Sequence, residues 1–101
     1  GVIVLCTFIS PQADMRRQAR SSIGEDFVEI YVKAPVEECM RRDPKGLYKK
    51  AMSGEIENFT GVNAPYEAPE NPEIILDTTQ VSPEQSTELL MNYLQEHKIL
   101  Y

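Results

Sequence analysis

Residues 27–42 read FVEIYVKAPVEECMRR, and this stretch decides the fold class. Residues 27–32 are rich in β-branched and aromatic side chains, which favours a strand. Pro35 opens a short helix that runs to about Arg42, with apolar side chains at helical spacing: Val36, Cys39 and Met40. A strand that leads directly into a helix is typical of the βαβ units from which parallel sheets are built.

Downstream, the alternation of strand and helix repeats. Residues 73–78 (EIILDT) form a second predicted strand. Ser82-Pro83-Glu84-Gln85 is a capping box with proline at the first helical position, so a helix begins there and runs to about His97. We expect His97 to stabilise the end of this helix rather than to act in catalysis. The predicted buried face consists of Leu89, Leu90, Tyr93 and Leu94.

Upstream, residues 2–9 (VIVLCTFI) are continuously apolar, which is typical of a strand buried on both faces of a parallel sheet. Ser10 is a good N-cap and Pro11 suits the first helical position, so a helix is predicted to run to about Ser22. Its apolar and basic residues are predicted to lie on opposite sides: Met15, Ala19 and Ile23 against Arg16, Arg17 and Arg20.

Length and charge limit the classes of protein to which the chain can belong. A chain of 101 residues forms at most one small domain, which we place at 1–101. The net charge of −6 argues against nucleic-acid and membrane-surface partners, and no apolar run is long enough for a membrane span. Cys6 and Cys39 lie inside apolar segments, which indicates buried thiols in a reducing compartment and a cytoplasmic location.

Residues 43–63 mix charge, aromatic side chains and glycine without a clean core pattern, and we call them the flap. Lys45, Lys49 and Lys50 are a basic cluster in an acidic protein, and Phe59 lies in a polar setting. One interpretation is a solvated loop with a short helix. The other is a segment that closes over an anionic, ring-bearing ligand.

Two sequence motifs of the flap, DPKGLYKKA (43–51) and NFTG (58–61), resemble the lid of adenylylsulfate (APS) kinases. Further matching pieces follow the same order along nearly the whole chain: FISP (8–11), GEDFVEIYV (24–32), PVEEC (35–39) and PYEAPENPEIILDT (65–78). The resemblance implies an α/β, P-loop kinase-like fold: a three-layer parallel sheet with helices on both faces, incomplete at the N-terminus. Residues 1–101 would be the C-terminal part of the kinase domain.

The resemblance also implies which residues touch each substrate. The implied APS contacts are Ile9, Ser10, Lys45, Gly46, Leu47, Phe59 and Thr60, and the implied ATP contacts are Arg42, Lys49 and Thr79. In that family the matching serine has been proposed as a phosphorylated catalytic intermediate. We favour a plain contact for Ser10, because direct in-line transfer needs no covalent step.

Each of these roles has a structural alternative. Ser10 can be only a helix cap, and Arg42 can be only a favourable cation at a helix C-terminus. Phe59 can be a core residue. The family usually has an aromatic or histidine and then arginine after Ser-Pro, whereas this chain continues Gln12-Ala13 and looks one residue shorter. We therefore expect the start of the following helix to be shifted.

Two parts that such a kinase needs are absent from residues 1–101. No G-x-x-x-x-G-K-[ST] phosphate loop occurs, nor does the family's Asp-Gly-Asp-Asn stretch with its arginine. The ATP-bound Mg²⁺ would find its ligands mainly in that missing N-terminal part, so no metal ligand is assigned here. A domain rarely begins on its most buried strand, so we expect the chain to be truncated and inactive alone.

The resemblance leaves the organisation of the parent protein open. It allows a homodimer and a fusion to a sulfurylase. In kinases of this type, the strand before the phosphate loop lies between the two strands that match residues 2–9 and 27–32. The alternative of another class is a non-catalytic nucleotide-binding or interaction module derived from the same fold.

Overall fold

The computed structural model describes residues 1–100. Its regular elements include four α-helices and two β-strands. The helices are α1 (Ala13–Ile23), α2 (Val36–Arg42), α3 (Leu47–Met52) and α4 (Pro83–Glu96). The strands are β1 (Ile30–Lys33) and β2 (Ile74–Asp77), and a 3-10 turn (Gly24–Asp26) follows α1. The predicted strand at 73–78 is thus present in shortened form, and the one predicted at 27–32 is shorter and ends one residue later, at Lys33.

Strands β1 and β2 pair in parallel, in a register that runs from Ile30 opposite Ile74 to Lys33 opposite Asp77. Beyond the last pair, the Thr78 amide and hydroxyl both donate to the Lys33 carbonyl, at 2.9 and 3.1 Å. Both strands therefore end at the same edge of the sheet. The predicted α/β class with a parallel sheet is confirmed.

The core is small. Its most buried side chains belong to α3 and β2: Ala51, Ile74 and Leu76, which are 3%, 9% and 7% exposed. Ile75, between the two buried residues of β2, points outward and is 56% exposed, so β2 is covered on one face only. Within residues 1–100, none of the helices combines the length and the apolar character that crossing a lipid bilayer requires.

The predicted strand at residues 2–9 does not form. The segment has no regular secondary structure, and Val2, Phe8 and Ile9 are 87%, 80% and 70% exposed. Cys6, which we expected to be buried, is exposed as well. Apolar composition alone does not make a strand, because the backbone needs a neighbouring strand to hydrogen-bond with. Among the described residues, only β1 and β2 pair as strands, and they pair with each other.

Helix α1 begins later than the Ser-Pro signal predicts. Its N-cap is Gln12, whose side chain makes no capping hydrogen bond. Ser10 has a φ of 44° and is not the cap. The cap is supplied from a distance, because the Ala13 amide donates to Glu67 Oε1 at 3.0 Å. The predicted shift of the helix start is therefore observed, and the predicted role of Ser10 as a cap is wrong.

The apolar side of α1 is not its more buried side. Met15 and Ile23 are each 57% exposed, whereas the Arg16 side chain is only 11% exposed. Arg16 is partly buried, and its charge is compensated because Glu29 lies 3.2 Å from its Nε atom. This ion pair is invisible to sequence periodicity, since Glu29 lies just before β1.

Helix α4 follows its sequence signals closely. Ser82 and Gln85 form the predicted capping box with both reciprocal hydrogen bonds, and Pro83 occupies the first turn. Leu90, Tyr93 and Leu94 are half-buried, but Leu89 is 47% exposed and does not belong to the buried face. His97 is the C-cap residue and stacks on Tyr93 with ring centroids 3.9 Å apart, which agrees with a structural role.

We predict that the 101-residue chain self-associates through residues 2–9, because exposed apolar segments and unpaired strand edges template pairing. Replacing Val4 and Leu5 with lysine should shift the population toward monomer in size-exclusion chromatography with light scattering. Met52→Lys, at a residue that is 65% exposed on α3, is the matched control and should have no such effect. A monodisperse wild-type monomer with one cooperative urea transition would contradict this prediction.

Candidate functional site

A cavity of about 570 Å³ lies where the strands meet the last turn of α2 and the start of α4. Arg42 and Thr78 are on its wall, and its other lining residues are Val32, Leu76, Val81, Ser82, Pro83 and Ser86. Ligands of parallel α/β sheets bind at the carboxyl ends of the strands, which is where this cavity lies. Its volume is within the range of small-molecule sites, and its apolar wall suits a flat ring.

Arg42 is held in place by two elements. Its Nε donates to Glu38 Oε1 at 2.9 Å, within α2. Its two terminal nitrogens donate to the hydroxyl and the carbonyl of Thr78, at 2.9 and 3.1 Å. The guanidinium therefore joins the end of α2 to the end of β2. Its place in the last turn of α2 fits the capping role, and its place on the cavity wall fits the ligand role.

Thr79 is hydrogen-bonded to Asp77 beside the cavity and does not line it. Its hydroxyl and amide donate to Asp77 Oδ1 at 2.6 and 3.0 Å. These hydrogen bonds, the hydroxyl's first, hold the pKa of Asp77 below its ordinary value. The cavity is lined by Thr78, which sequence reasoning did not select. Nor did it select Val32, Val81 and Pro83, because apolar residues and a helix-start proline carry no binding signal of their own.

The flap contains the short helix α3, whose first turn is capped by another flap residue. The carboxylate of Asp43 accepts hydrogen bonds from the amides of Tyr48 and Lys49, at 3.0 and 3.1 Å, and so caps α3. The side chains of Lys45, Lys49 and Lys50 are exposed, and they take part in none of the ion pairs found among residues 1–100. The flap thus offers three free cations on an acidic protein.

Phe59 is half-buried, with its ring set edge-on to Tyr48 at a centroid distance of 4.9 Å. Its carbonyl accepts from the amides of residues 62, 63 and 64, each at 3.1 Å, and its amide donates to the side chain of Asn63. Gly61, with a φ of 89°, is tightly placed, because a Cβ there would be 3.0 Å from a Val36 methyl group. The loop that bears Phe59 is therefore held against α2 and α3.

Other predicted contact residues lie at different places. Ile9 is 70% exposed, and Ser10 is half-buried with its carbonyl accepting from Arg16. Leu47 starts α3 and is 38% exposed, and Thr60 forms a bridge with Ala64. Among the described residues, no hydrogen bond or ion pair joins Ile9 or Ser10 to the flap. The structure thus groups Arg42 with Thr78 and Thr79, and separately Phe59 with α3.

The described part of the chain contains no cluster of three or more His, Cys, Asp or Glu side chains that could hold a metal ion. Asp77, next to the cavity, has one carboxylate oxygen already bound by Thr79. These side chains therefore do not fit a Mg²⁺ site.

Residues 1–77 match the family model described as adenylylsulphate kinase. The chain belongs to the adenylylsulphate kinase family. The adenylyl-sulfate kinase of Clostridium acetobutylicum is 51% identical to it over 100 residues, which are 99% of this chain and 50% of that protein. The bifunctional enzyme NodQ of Rhizobium tropici is 62% identical over 84 residues, 82% of this chain and 13% of that protein.

A solved structure confirms the predicted fold class. The Mycobacterium tuberculosis APS kinase CysC, in complex with AMPPNP and APS, superposes with a TM-score of 0.71 at 43% identity. The match covers 82% of this chain and 50% of that one. The fold is accordingly the α/β fold of the P-loop kinases, and this adenylylsulphate kinase family member spans about half the length of the curated adenylyl-sulfate kinases it matches.

The Glu38 carboxyl should make the stability of this protein depend on pH. Hydrogen bonds from Arg41 and then Arg42 lower the pKa of Glu38 from 4.5 to about 2. A carboxyl with a lowered folded pKa stabilises the fold above its unfolded pKa, and this contribution is lost as the pH falls from about 4.5 toward 2. Glu38→Gln should therefore flatten the pH dependence of the unfolding temperature in that window.

The matched control is Glu37→Gln, on the same turn of α2, since Glu37 makes no ion pair within residues 1–100. Carbon-13 NMR titration of the carboxyl groups measures the same quantity directly. A Glu38 carboxyl that titrates at the ordinary pKa of 4.5 would show that its arginine contacts do not persist in solution.

Proposed function

We propose that this chain is the C-terminal part of an adenylylsulfate kinase. The reaction transfers the γ-phosphoryl group of ATP to the 3′-hydroxyl of APS. The hydroxyl oxygen forms the new P–O bond and loses its proton, the β–γ bridge bond breaks, and ADP and 3′-phospho-APS leave. The observation that carries the proposal is that Arg42 and Thr78 line an apolar cavity at the strand ends. Arg42 directly precedes the flap sequence DPKGLYKKA.

The cavity is the proposed site of the ATP adenine. Three hydrogen bonds to Glu38 and Thr78 hold the Arg42 guanidinium in place, so we propose that it stacks on the purine ring without further ordering. The apolar wall from Val32 and Leu76 suits the other face of the ring. Lys49, on the exposed side of α3, is the proposed partner of the ATP phosphates, and Thr79 is proposed to contact ATP beside the cavity.

The flap is the proposed cover of APS. Phe59 is proposed to stack on the adenine of APS, with Tyr48 supporting its ring from the side. The proposed further contacts are Lys45, Gly46, Leu47 and Thr60 from the flap, and Ile9 with Ser10 from the segment before α1. Exposed lysines without an acidic partner among residues 1–100 suit the sulfate and phosphate charges of APS.

Phosphoryl transfer requires positioning of the phosphates and stabilisation of the charge on the transferred group. Residues 1–101 contain no phosphate loop, and the acidic side chains described above do not fit Mg²⁺. We therefore derive no catalytic step from this chain alone. We propose that the segment preceding residue 1 in the complete kinase binds the ATP phosphates and the metal ion.

The supported organisation of the parent protein is likewise a proposal. A cytoplasmic enzyme fits the two free cysteines. The name of the relative NodQ, a bifunctional enzyme, supports fusion of the kinase to a second catalytic unit, for which we propose a sulfurylase. A homodimer remains a prediction.

The first test compares the 101-residue chain with the complete kinase, obtained by extending the reading frame upstream of Gly1. The complete kinase should form 3′-phospho-APS from ATP and APS, and the chain alone should form none, because it lacks a phosphate loop. Detectable product from the pure 101-residue chain would contradict the expectation that this chain is inactive alone. A reading frame that starts at Gly1, or that contains no phosphate loop, would favour the non-catalytic binding module.

Phe59→Ala in the complete kinase should weaken APS binding by ~1–3 kcal/mol, the range for stacking of an aromatic side chain on a base. Titration calorimetry measures the binding, and the unfolding temperature shows whether the fold is intact. Leu89→Ala is the control, since Leu89 is 47% exposed on α4 and has no assigned ligand contact. If Phe59→Ala unfolds the protein while its folded fraction binds APS normally, Phe59 is a core residue instead.

A further inference from the structure

Arg16 is a partly buried cation that the proposed mechanism does not use. Its side chain is 11% exposed, the lowest fraction among the arginines that form ion pairs in residues 1–100. Its Nε faces Glu29 Oε2 at 3.2 Å, and the guanidinium carbon lies 5.8 Å from the centroid of the Tyr66 ring. Burying a charge is unfavourable unless its hydrogen-bonding groups are satisfied, so the contacts of this side chain are specific.

Both terminal nitrogens of Arg16 bind backbone rather than side chains. One donates to the carbonyl of Ser10 and the other to the carbonyl of Glu67, 51 residues further along the chain. Arg16 therefore joins three separate segments: the turn before α1, the stretch at 64–72 after the flap, which we call the connector, and the residue before β1. Only the planar fork of an arginine reaches three acceptors in this way.

Glu67 makes the reciprocal connections. Its carboxylate accepts from the Ala13 amide at 3.0 Å, and its own amide donates to the Pro11 carbonyl at 2.8 Å. Together with Arg16, it fixes every backbone link between residues 10–13 and the connector. We call Arg16 and Glu67 the clasp.

The clasp connects the two places from which APS contacts are proposed. On one side it holds the carbonyl of Ser10, whose φ of 44° is uncommon for a serine and needs support from its surroundings. On the other side the connector runs back to Ala64, whose carbonyl accepts from Gly61 in the Phe59 loop at 2.8 Å. Tyr66 also stacks on Tyr31 of β1, with ring centroids 6.2 Å apart, so the connector is anchored to the sheet.

We propose that Arg16 is a positioning residue for APS, which acts through the clasp by fixing Ser10 relative to the flap. The inference rests on the proposed function, because it assumes that Ser10 and the flap contact APS. The clasp lies away from the proposed adenine cavity of ATP, whose lining does not include Arg16 or Glu67. Loss of the clasp should therefore weaken the use of APS much more than the use of ATP.

The test measures kcat and KM for each substrate in the complete kinase carrying Arg16→Lys, Arg16→Ala or Arg17→Ala. Lysine keeps the positive charge beside Glu29, but all its donors lie on one nitrogen and cannot reach the partners that Arg16 contacts through three separate nitrogens. Both Arg16 variants should raise KM for APS by about tenfold, the scale of one or two positioned hydrogen bonds. KM for ATP should change less than twofold. Arg17→Ala is the matched control, since the one ion pair of Arg17 within residues 1–100 is with Asp14 on the surface of the same helix.

Two substitutions at Glu67 check the other half of the clasp. Glu67→Gln keeps an oxygen that can accept from the Ala13 amide, so it should behave like the wild type. Glu67→Ala removes the acceptor and should reproduce the rise in KM for APS. This difference distinguishes a positioned hydrogen bond from a general effect of negative charge.

The outcomes separate the two proposals. If the wild-type complete kinase forms no 3′-phospho-APS, the proposed function is wrong and the clasp falls with it. If the wild type is active but both Arg16 variants match Arg17→Ala in KM for APS, the clasp proposal alone is overturned. It is also overturned if Arg16→Lys and Arg16→Ala lower the unfolding temperature while both KM values stay at the wild-type level in the folded enzyme.

Discussion

The parallel pairing of β1 with β2 is the interaction on which the candidate site depends. The register brings Lys33 and Asp77 to the same edge, and Thr78 extends the ladder by donating to the Lys33 carbonyl. Because Thr78 is fixed there, Arg42 at the end of α2 can bind both its hydroxyl and its carbonyl. The cavity is the space enclosed between these strand ends and the start of α4, so a shift of the register would remove its wall.

A second constraint acts at the opposite ends of the strands, where charge is partly buried. Glu73, just before β2, binds Arg20 through both carboxylate oxygens at 2.7 Å and accepts from the Glu29 amide at 2.8 Å. Glu29 in turn faces Arg16. Removing one member would leave another partly buried and unpaired, which costs more than the pair itself contributes. This network fixes α1 against the sheet although its large apolar side chains, Met15 and Ile23, face solvent.

The sequence predicted those elements whose signals are local, namely the capping box of α4, the extent of α2, the short flap helix and the two strands of the parallel pair. It could not predict the outcome for residues 2–9, since a strand needs a partner and composition does not reveal whether one is adjacent. It also missed Arg16, whose burial depends on Glu29 and on carbonyls far along the chain. For the candidate site, the motifs shared with the family led to the prediction of Arg42 and Phe59 as ligand contacts. No sequence pattern marked Val32, Val81 or Thr78.

The two proposed nucleotide sites differ in how much ordering remains for a ligand to impose. Arg42 already makes three hydrogen bonds, so a ring that stacks on it need not fix the side chain further. The flap lysines have no acidic partner among the described residues, and each loses ~1–2 kcal/mol of side-chain entropy when an anion immobilises it. Binding at the flap therefore gains more from pre-organised surroundings than binding at the cavity. The backbone around Phe59 and the clasp supply such surroundings, because both fix the chain without occupying the lysines. A rigid backbone with free cations on it is what the proposed recognition of an anion by the flap requires in a protein whose net charge is −6.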